Sequence, residues 1–225
     1  VLNLTGFIQP IAAITDYQPT YSTPYGTWGV ATRPNGDIFV NVASGDGADG
    51  WHVRKISSDG TASNFYGEQT CGITNDSLGN IWLLSRQYGI AGLVLVEIPA
   101  GSELPILKAI TDFQFTVTAM TVSQNGDVLL GQGQNVARYS GAGVALIASG
   151  FGNVRGLSTL PNGSILVADA DRGKVYQIPA DGAGTISTLI SELQYPQGVE
   201  FDSLTQQIYV SNTSENSIRQ YSCLL

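Results

Sequence analysis

The chain has 225 residues, of which 12% are charged, and its 10 Lys and Arg against 18 Asp and Glu give a net charge of -8. This acidic balance, without a cluster of basic residues, argues against a partner that is a nucleic acid or an anionic membrane. A chain of this length and composition is typical of one all-β domain, so we predict a single domain over residues 1–225.

A short pattern recurs along the chain, each time as a polar turn followed by a β-branched or aromatic strand. Its five copies are ATRPNGDIFVNVAS, TNDSLGNIWLLSR, VSQNGDVLLGQG, TLPNGSILVADAD and FDSLTQQIYVSN. The equivalent turn positions are Gly36, Gly79, Gly126, Gly163 and Gln206, with gaps of 43, 47, 37 and 43 residues. Repeats of about 40 to 50 residues are typical of β-propeller blades. We therefore predict an all-β, five-bladed β-propeller.

Each repeat predicts a four-stranded antiparallel blade, most clearly the fourth, which reads RGLSTL, ILVADAD, GKVYQI and TISTLIS. The predicted blades cover about 28–66, 70–113, 117–149, 154–191 and 197–225. The last repeat stops after its third strand. Residues 10–17, PIAAITDY, resemble the fourth strands of other repeats. We therefore predict that this N-terminal strand completes the last blade and removes an open sheet edge.

Several features predict a secreted protein. No apolar run reaches the roughly 18 residues that span a bilayer, and the chain begins at Val1 rather than Met, which predicts a processed product without a membrane span. Candidate N-glycosylation sequons begin at Asn3, Asn75, Asn162 and Asn212. Such triplets also arise by chance in a chain rich in Ser, Thr and Asn.

The two cysteines, Cys71 and Cys223, lie in the second and fifth repeats. A disulfide between them would cross much of the molecule. The alternative is a buried thiol at each position, and Cys71 would be a nucleophile only if a partner side chain activated it.

Two segments, ILVADADRGKVYQI and IYVSNTSENSIRQY, resemble the NHL repeat, in which a strand ending in Val-Ala-Asp or a similar triplet precedes a short polar loop and another strand. Through this repeat the chain loosely resembles the gluconolactonase-like calcium hydrolases, the strictosidine-synthase-like proteins and the virginiamycin B lyase group. The resemblance implies a propeller, whereas the functions of these proteins differ widely. It carries over no catalytic histidine, because His52 does not align with the one that the lyase group uses.

Propeller ligands usually bind where the inner strands begin. The residues just before those strands are Trp28, Cys71, Thr118, Arg155 and Gln197. Arg155 is a candidate to bind a carboxylate, an enol or a carbonyl oxygen, while Thr118 and Gln197 would add neutral hydrogen bonds. The gluconolactonase-like hydrolases hold a divalent cation at this mouth with Glu, Asn and Asp, but these five positions contain no carboxylate.

Aromatic residues supply a second signal for a ligand site. Tyr25 and Trp28 belong to the Pro- and Tyr-rich stretch DYQPTYSTPYGTW, and Tyr88 follows the second strand of the second repeat. Together they would line an apolar bowl for a small molecule. Other aromatic residues occur in the turns that lead into the inner strands. They either line the same bowl or fill the gaps between neighbouring blades: Phe65, Phe113, Phe151 and Tyr195.

Polar residues that follow the second strands suggest two further kinds of site. Asp169 and Asp171 are weak candidates to bind Ca²⁺ with Asn212, and no other cofactor is predicted. Alternatively, Asp169 caps its own loop by accepting backbone N–H bonds. His52, the one histidine, is a candidate for proton transfer, or else a surface residue of a strand beside Trp51.

We therefore predict a secreted propeller that binds a small organic molecule at the central channel mouth. It is a candidate enzyme of a lactonase-, lyase- or cyclase-like kind that acts by positioning its substrate, with Arg155 and His52 as candidate catalytic residues. The alternatives are a carbohydrate-binding lectin and a protein-interaction scaffold. The repeats differ at their aromatic and polar loop positions, which counts against five equal sugar pockets.

Overall fold

The computed structural model describes residues 29–43, 51–86, 90–111 and 117–222. These residues belong to two compact units, one that ends at Val117 and one that begins at Thr118. The described residues of both units form β-strands and their connections, apart from one turn of 3-10 helix at Thr213–Glu215. No helix in these ranges is long and apolar enough to cross a membrane. The single domain over 1–225 stays a prediction.

The unit that ends at Val117 has two four-stranded sheets in its described part. The first sheet consists of β1 (Val30–Thr32), β2 (Ile38–Ala43), β3 (Trp51–Ile56) and β4 (Ala62–Tyr66). The second sheet consists of β5 (Gln69–Asn75), β6 (Ile81–Arg86), β7 (Leu93–Ile98) and β8 (Ile106–Thr111).

The unit that begins at Thr118 has three sheets in its described part. The first consists of β9 (Ala119–Val122), β10 (Val128–Gln132), β11 (Asn135–Tyr139) and β12 (Val144–Ser149). The second consists of β13 (Val154–Thr159), β14 (Ile165–Asp169), β15 (Lys174–Ile178) and β16 (Ser187–Ile190). The third consists of β17 (Pro196–Asp202), β18 (Gln207–Asn212) and β19 (Ser217–Ser222).

In all five sheets the strands pair antiparallel and in chain order, which is the arrangement of propeller blades. The predicted all-β propeller class is confirmed. The last sheet has three strands among the described residues. The strand predicted to close it, at 10–17, lies outside those residues.

Apolar side chains of successive sheets pack face to face within each unit. In the unit that begins at Thr118, one cluster joins the first two sheets and includes Leu129, Val136, Leu157, Ile165 and Val167. A second cluster joins the last two sheets and includes Leu166, Val175, Val199, Phe201 and Val210. Strand β14 contributes to both clusters because its successive side chains alternate between its two faces. All five of its residues are buried.

A buried arginine links the two sheets of the other unit. Arg33 is 8% exposed, and its guanidinium lies 5.0 Å from the ring centre of Phe39. Its Nε donates to the carbonyl of Gly79 at 3.2 Å, and its Nη2 donates to the carbonyls of Pro99 and Ser102, each at 3.1 Å. These bonds satisfy the buried cation, so the structure assigns Arg33 to packing.

The turn at the centre of each repeat has the same backbone conformation. Its φ angle is 88° at Gly36, 83° at Gly79, 83° at Gly126, 81° at Gly163 and 56° at Gln206. In the first four turns the glycine N–H donates to the carbonyl three residues earlier. The left-handed region is open to glycine and disfavours other residues, which explains why the repeat is marked by Asn-Gly and Leu-Gly pairs.

Gln206 is the exception at this turn position, because it is not glycine. Its side-chain Nε2 donates to the carbonyl of Ser203 at 2.8 Å, which is the carbonyl that the backbone N–H reaches in the other four turns. The side chain thus provides the bond that the turn needs, while the backbone stays in a disfavoured conformation.

Gln206→Gly is therefore expected to stabilise the chain by about 0.5 to 1 kcal/mol, because glycine adopts this φ without strain. The measurement is the free energy of unfolding in urea. Gln206→Ala is the control, since it removes the amide and keeps the strain. Alanine should be no more stable than the wild type, and an equal gain in both variants would contradict the explanation.

Candidate ligand site at the starts of the first strands

Three of the first strands, which are the predicted inner strands, begin with a β-bulge. In β5, β13 and β17 the pairing register shifts by one residue near the start of the strand. The extra residues are Cys71, Arg155 and Gln197. A bulge redirects the side chain of its extra residue and is common beside active sites. The bulges therefore set three of the predicted mouth residues apart from the regular ladder.

The residue opposite each bulge hydrogen-bonds the segment that leads into the same sheet, which is a loop in two sheets and the first residue of β5 in the third. Asp169, Asn212 and Ser85 each pair with the residue just before a bulge, and all three are fully buried. Asn212 Oδ1 accepts the N–H of Gln194 at 2.5 Å, and Ser85 Oγ donates to the carbonyl of Gln69 at 2.9 Å. A buried polar residue opposite a bulge thus recurs in three sheets, with an Asp, an Asn and a Ser as its side chain.

Asp169 makes the most extensive of these contacts. Its carboxylate accepts the N–H groups of Gly152 at 2.8 Å and Asn153 at 2.9 Å, and the N–H of Arg172 at 3.3 Å. The Arg172 guanidinium lies 3.9 Å away. Both carboxylate oxygens therefore bond backbone, as the capping interpretation predicts.

The described residues offer no metal centre. Asp171 is exposed and reaches only the side-chain amide of Asn153, at 3.4 Å, while Asn212 Nδ2 donates to Glu215 at 2.6 Å. In the described ranges no three side chains among His, Cys, Asp and Glu are grouped to hold an ion. The Ca²⁺ site at Asp169, Asp171 and Asn212 stays a prediction.

The first strands of the unit that begins at Thr118 lie directly against one another. The Thr118 hydroxyl lies 2.5 Å from the Val154 carbonyl and 3.2 Å from the Gly131 carbonyl, which joins β9 to β13. Strands β13 and β17 approach so closely at Gly156 that an added Cβ would stand 2.7 Å from the Gln197 carbonyl oxygen. The structure thus brings the starts of three strands together, and with them Thr118, Arg155 and Gln197.

Arg155 and Gln197 keep unused hydrogen-bonding capacity at this place. Arg155 is half-buried, and its buried Nε has no hydrogen-bond partner in the described part of the chain. Gln197 is exposed. Thr118 is half-buried, and its hydroxyl proton is used by a neighbouring carbonyl. Arg155 is accordingly the side chain with the greatest capacity to bind a ligand here.

Trp28, Tyr25 and Tyr88 are outside the described residues. His52 is a half-buried residue of β3, in the unit that ends at Val117. Its catalytic role stays a prediction.

Cys71 is a half-buried thiol whose Sγ lies 3.4 Å from the Leu84 carbonyl. Burial raises the pKa of this thiol to about 11, although the nearby Arg86 charge opposes the shift. The group is therefore protonated at neutral pH and poorly suited to nucleophilic attack. Cys223 lies outside the described residues, so the disulfide stays a prediction.

Tyr195 is a feature of this site that the sequence did not single out from the other aromatic residues. It is half-buried, precedes Pro196, and has a φ of 60°. A bulky residue rarely adopts this conformation, least of all before proline. The available sequence signal was the Tyr-Pro pair two positions before Gln197.

The described sequons differ in accessibility. Asn162 is exposed in a turn, where its Oδ1 accepts the N–H of Ser164 at 3.0 Å. Asn75 is half-buried, and its Oδ1 accepts the N–H of Thr32 at 3.0 Å. Asn212 is fully buried and hydrogen-bonded through both side-chain atoms. Asn3 lies outside the described residues.

Expressed through a eukaryotic secretory pathway, the chain is expected to carry a glycan at Asn162 and none at Asn212, because a glycan on the buried Nδ2 would break its bond to Glu215. Mass spectrometry of glycopeptides measures the occupancy at each site. Asn162→Gln should remove the modification. Substantial occupancy at Asn212 would contradict this account.

Neither a family model nor a curated protein matches the chain. Solved structures do match, among them virginiamycin B lyase from Staphylococcus aureus, with 14% identity over 89% of this chain and 71% of that chain and a TM-score of 0.57. The chain has a β-propeller fold. This propeller also matches a catalytically inactive form of that lyase with quinupristin, with a TM-score of 0.61, 14% identity and the same coverage.

A further match is an auxiliary nutrient binding protein from Bacteroides thetaiotaomicron, with 9% identity and a TM-score of 0.64. The match covers 82% of this propeller and 56% of that chain. At these identities the likeness shows the fold, and it agrees with the loose relation to the virginiamycin B lyase group predicted from the NHL-like segments.

Proposed function

We propose that this propeller binds a small organic molecule where β9, β13 and β17 begin. The observation that carries the proposal is the buried Nε of Arg155, at the bulge of β13. In the described part of the chain this Nε has no hydrogen-bond acceptor and Arg155 has no carboxylate partner, whereas the Nε of Arg138, which also lacks a hydrogen bond, lies 3.7 Å from Asp127. A buried donor without an acceptor costs free energy, and a ligand oxygen would remove that cost.

The chemistry of the three strand starts suits binding and positioning. Arg155 offers a planar set of donors, Gln197 offers an amide donor and acceptor, and Thr118 contacts Val154 on the β9 side of β13. Such a combination holds and orients an organic molecule, which also suits an enzyme that acts by positioning. A propeller lyase and a propeller nutrient binding protein among the structural matches support this by analogy of fold.

We also propose that the protein is secreted. The support is its low content of charged residues, 12%, together with the exposed sequon at Asn162. Glycopeptide analysis of the protein purified from its natural source tests this part of the proposal separately from ligand binding, and an unmodified Asn162 there would count against secretion.

The test of binding is a fragment screen by ligand-observed NMR on the whole chain. We expect hits whose affinity falls about tenfold or more in Arg155→Ala, since a hydrogen bond to a charged group contributes about 1.5 to 3 kcal/mol. Arg138→Ala is the control because it removes the same charge from the third strand of another sheet, where it pairs with Asp127. The fragments that bind the wild type should bind Arg138→Ala with unchanged affinity.

Two outcomes would overturn the proposal. Hits that bind Arg155→Ala as tightly as the wild type would place the ligand elsewhere. Saccharides bound at several equivalent sites, again independently of Arg155, would favour the lectin function.

A further inference from the structure

Arg155 differs from the other arginines of its unit in the partners of its guanidinium. Arg138 pairs with Asp127 and the Ala180 carbonyl, Arg172 with Asp169 and the Gly150 carbonyl, and Arg219 with Glu215 and the Glu192 carbonyl. Each of these three cations therefore has a carboxylate and a backbone carbonyl as partners. Arg155 has neither among the described residues. A ligand carboxylate would give Arg155 the anionic partner that the protein itself provides to the other three arginines.

The charge around Arg155 favours a singly charged ligand. Among the starts of β9, β13 and β17 it is the one cationic side chain in the described chain, and the whole protein carries a net charge of -8. A phosphate dianion would meet one cation within a negative field, whereas a carboxylate matches the planar fork of a single guanidinium. The single cation and its planar shape thus favour a monocarboxylate over a phosphate dianion.

Tyr195 indicates what the rest of such a ligand contains. Its left-handed backbone conformation costs about 1 to 3 kcal/mol and persists because the surroundings impose it. Its carbonyl accepts the N–H of Thr213 at 3.3 Å, and the preceding Gln194 donates its N–H to buried Asn212. The Tyr195 ring is half-buried and makes no ring contact or hydrogen bond within the described residues. The Tyr195 ring is thus partly exposed, on a backbone that hydrogen bonds hold in place.

Tyr195 lies in the loop just before β17, and Arg155 lies near the start of the neighbouring strand β13. Tyr195 precedes Gln197 by two residues, and its left-handed backbone makes their separation shorter than the roughly 7 Å of an extended chain. The Gln197 carbonyl lies against Gly156, which follows Arg155 directly. The backbone segments that carry Tyr195 and Arg155 are thus close enough for one small ligand to contact both residues.

We infer that the molecule bound at the starts of β13 and β17 is an aryl carboxylate, whose carboxylate pairs with Arg155 and whose ring packs on Tyr195. This inference rests on the proposed function and specifies its ligand class. Ring packing on an aromatic side chain adds to the free energy of the ion pair, so each part of the ligand contributes separately.

The experiment titrates the whole chain with benzoate, benzamide, cyclohexanecarboxylate and inorganic phosphate. The readouts are the NMR signals of the Arg155 Nε–H and of the backbone amides of residues 153–157 and 195–199. We expect benzoate to shift them and to bind about tenfold more tightly than the other three probes, as loss of a charged hydrogen bond or of ring packing predicts.

Variants separate the two contacts. Arg155→Gln should reduce benzoate binding to the level of benzamide. Tyr195→Leu should weaken benzoate by about threefold to tenfold and leave cyclohexanecarboxylate unchanged, because only the aromatic packing is lost. Arg138→Gln is the control and should keep the wild-type affinity for benzoate.

The outcomes distinguish this inference from the proposed function. If benzamide or another neutral fragment binds at these residues as tightly as benzoate, the ligand class is wrong and the site stands. Phosphate binding more tightly than benzoate would also overturn the aryl carboxylate. If no organic fragment shifts these signals, both the inference and the proposed function fail.

Discussion

Gly156→Ala is expected to destabilise the protein by about 2 to 3 kcal/mol, the upper part of the range for overpacking. The added methyl group would stand 2.7 Å from the Gln197 carbonyl oxygen and 2.9 Å from the Val199 nitrogen. Both are backbone atoms of β17, so no rotation of a side chain can relieve the contact. Strands β13 and β17 would have to separate, with loss of packing around Val199 and Phe201.

Urea unfolding of the wild type and the variant measures this effect. Gly67→Ala is the matched control, because an added Cβ there meets nothing within 4 Å and the backbone is outside the left-handed region. That change should be neutral or slightly stabilising, since alanine restricts the unfolded chain. If Gly156→Ala remained within about 0.5 kcal/mol of the wild type, the usual effect of a surface change, the close approach of the two strands would be wrong.

Asp169→Ala is expected to cost about 3 kcal/mol or more. The change leaves the part-buried N–H groups of Gly152 and Asn153 without their acceptor, and each such loss costs about 1 to 3 kcal/mol. It also removes the carboxylate that pairs with Arg172. We expect the free energy of unfolding to fall and hydrogen exchange to accelerate at residues 151–153.

Two further variants distinguish a backbone cap from a simple charge effect. Asp171→Ala removes a carboxylate two residues away that is exposed, so it should change stability by less than about 0.5 kcal/mol. Asp169→Asn keeps the shape with one acceptor oxygen and should fall between the wild type and alanine. Equal effects of Asp169→Ala and Asp171→Ala would contradict the capping role.

Much of the fold could be predicted because it depends on local rules. The turn glycines marked the repeat, and all five equivalent positions adopt positive φ, including Gln206, where the residue type alone did not require it. Strand β14 was recognisable as ILVAD because a strand buried on both faces is continuously apolar.

The candidate site was only partly predictable. Counting residues placed Cys71, Arg155 and Gln197 just before the first strands, but the bulges that set them apart depend on pairing with the second strands. The sequence left Asp169 open between a Ca²⁺ ligand and a cap. The choice depended on whether its oxygens reach backbone N–H groups of a loop 16 and 17 residues earlier.

The sequence by itself determined the repeat, its turns and the all-β class, because hydrophobic alternation and glycine conformation act between residues that are close along the chain. Only the tertiary structure decided that Gly156 leaves no room for a side chain and that the Asp169 carboxylate accepts backbone N–H groups. It also decided that the buried Nε of Arg155 has no hydrogen-bond partner among the described residues. These properties depend on which strands lie against each other, and the atoms that meet there are far apart in the sequence.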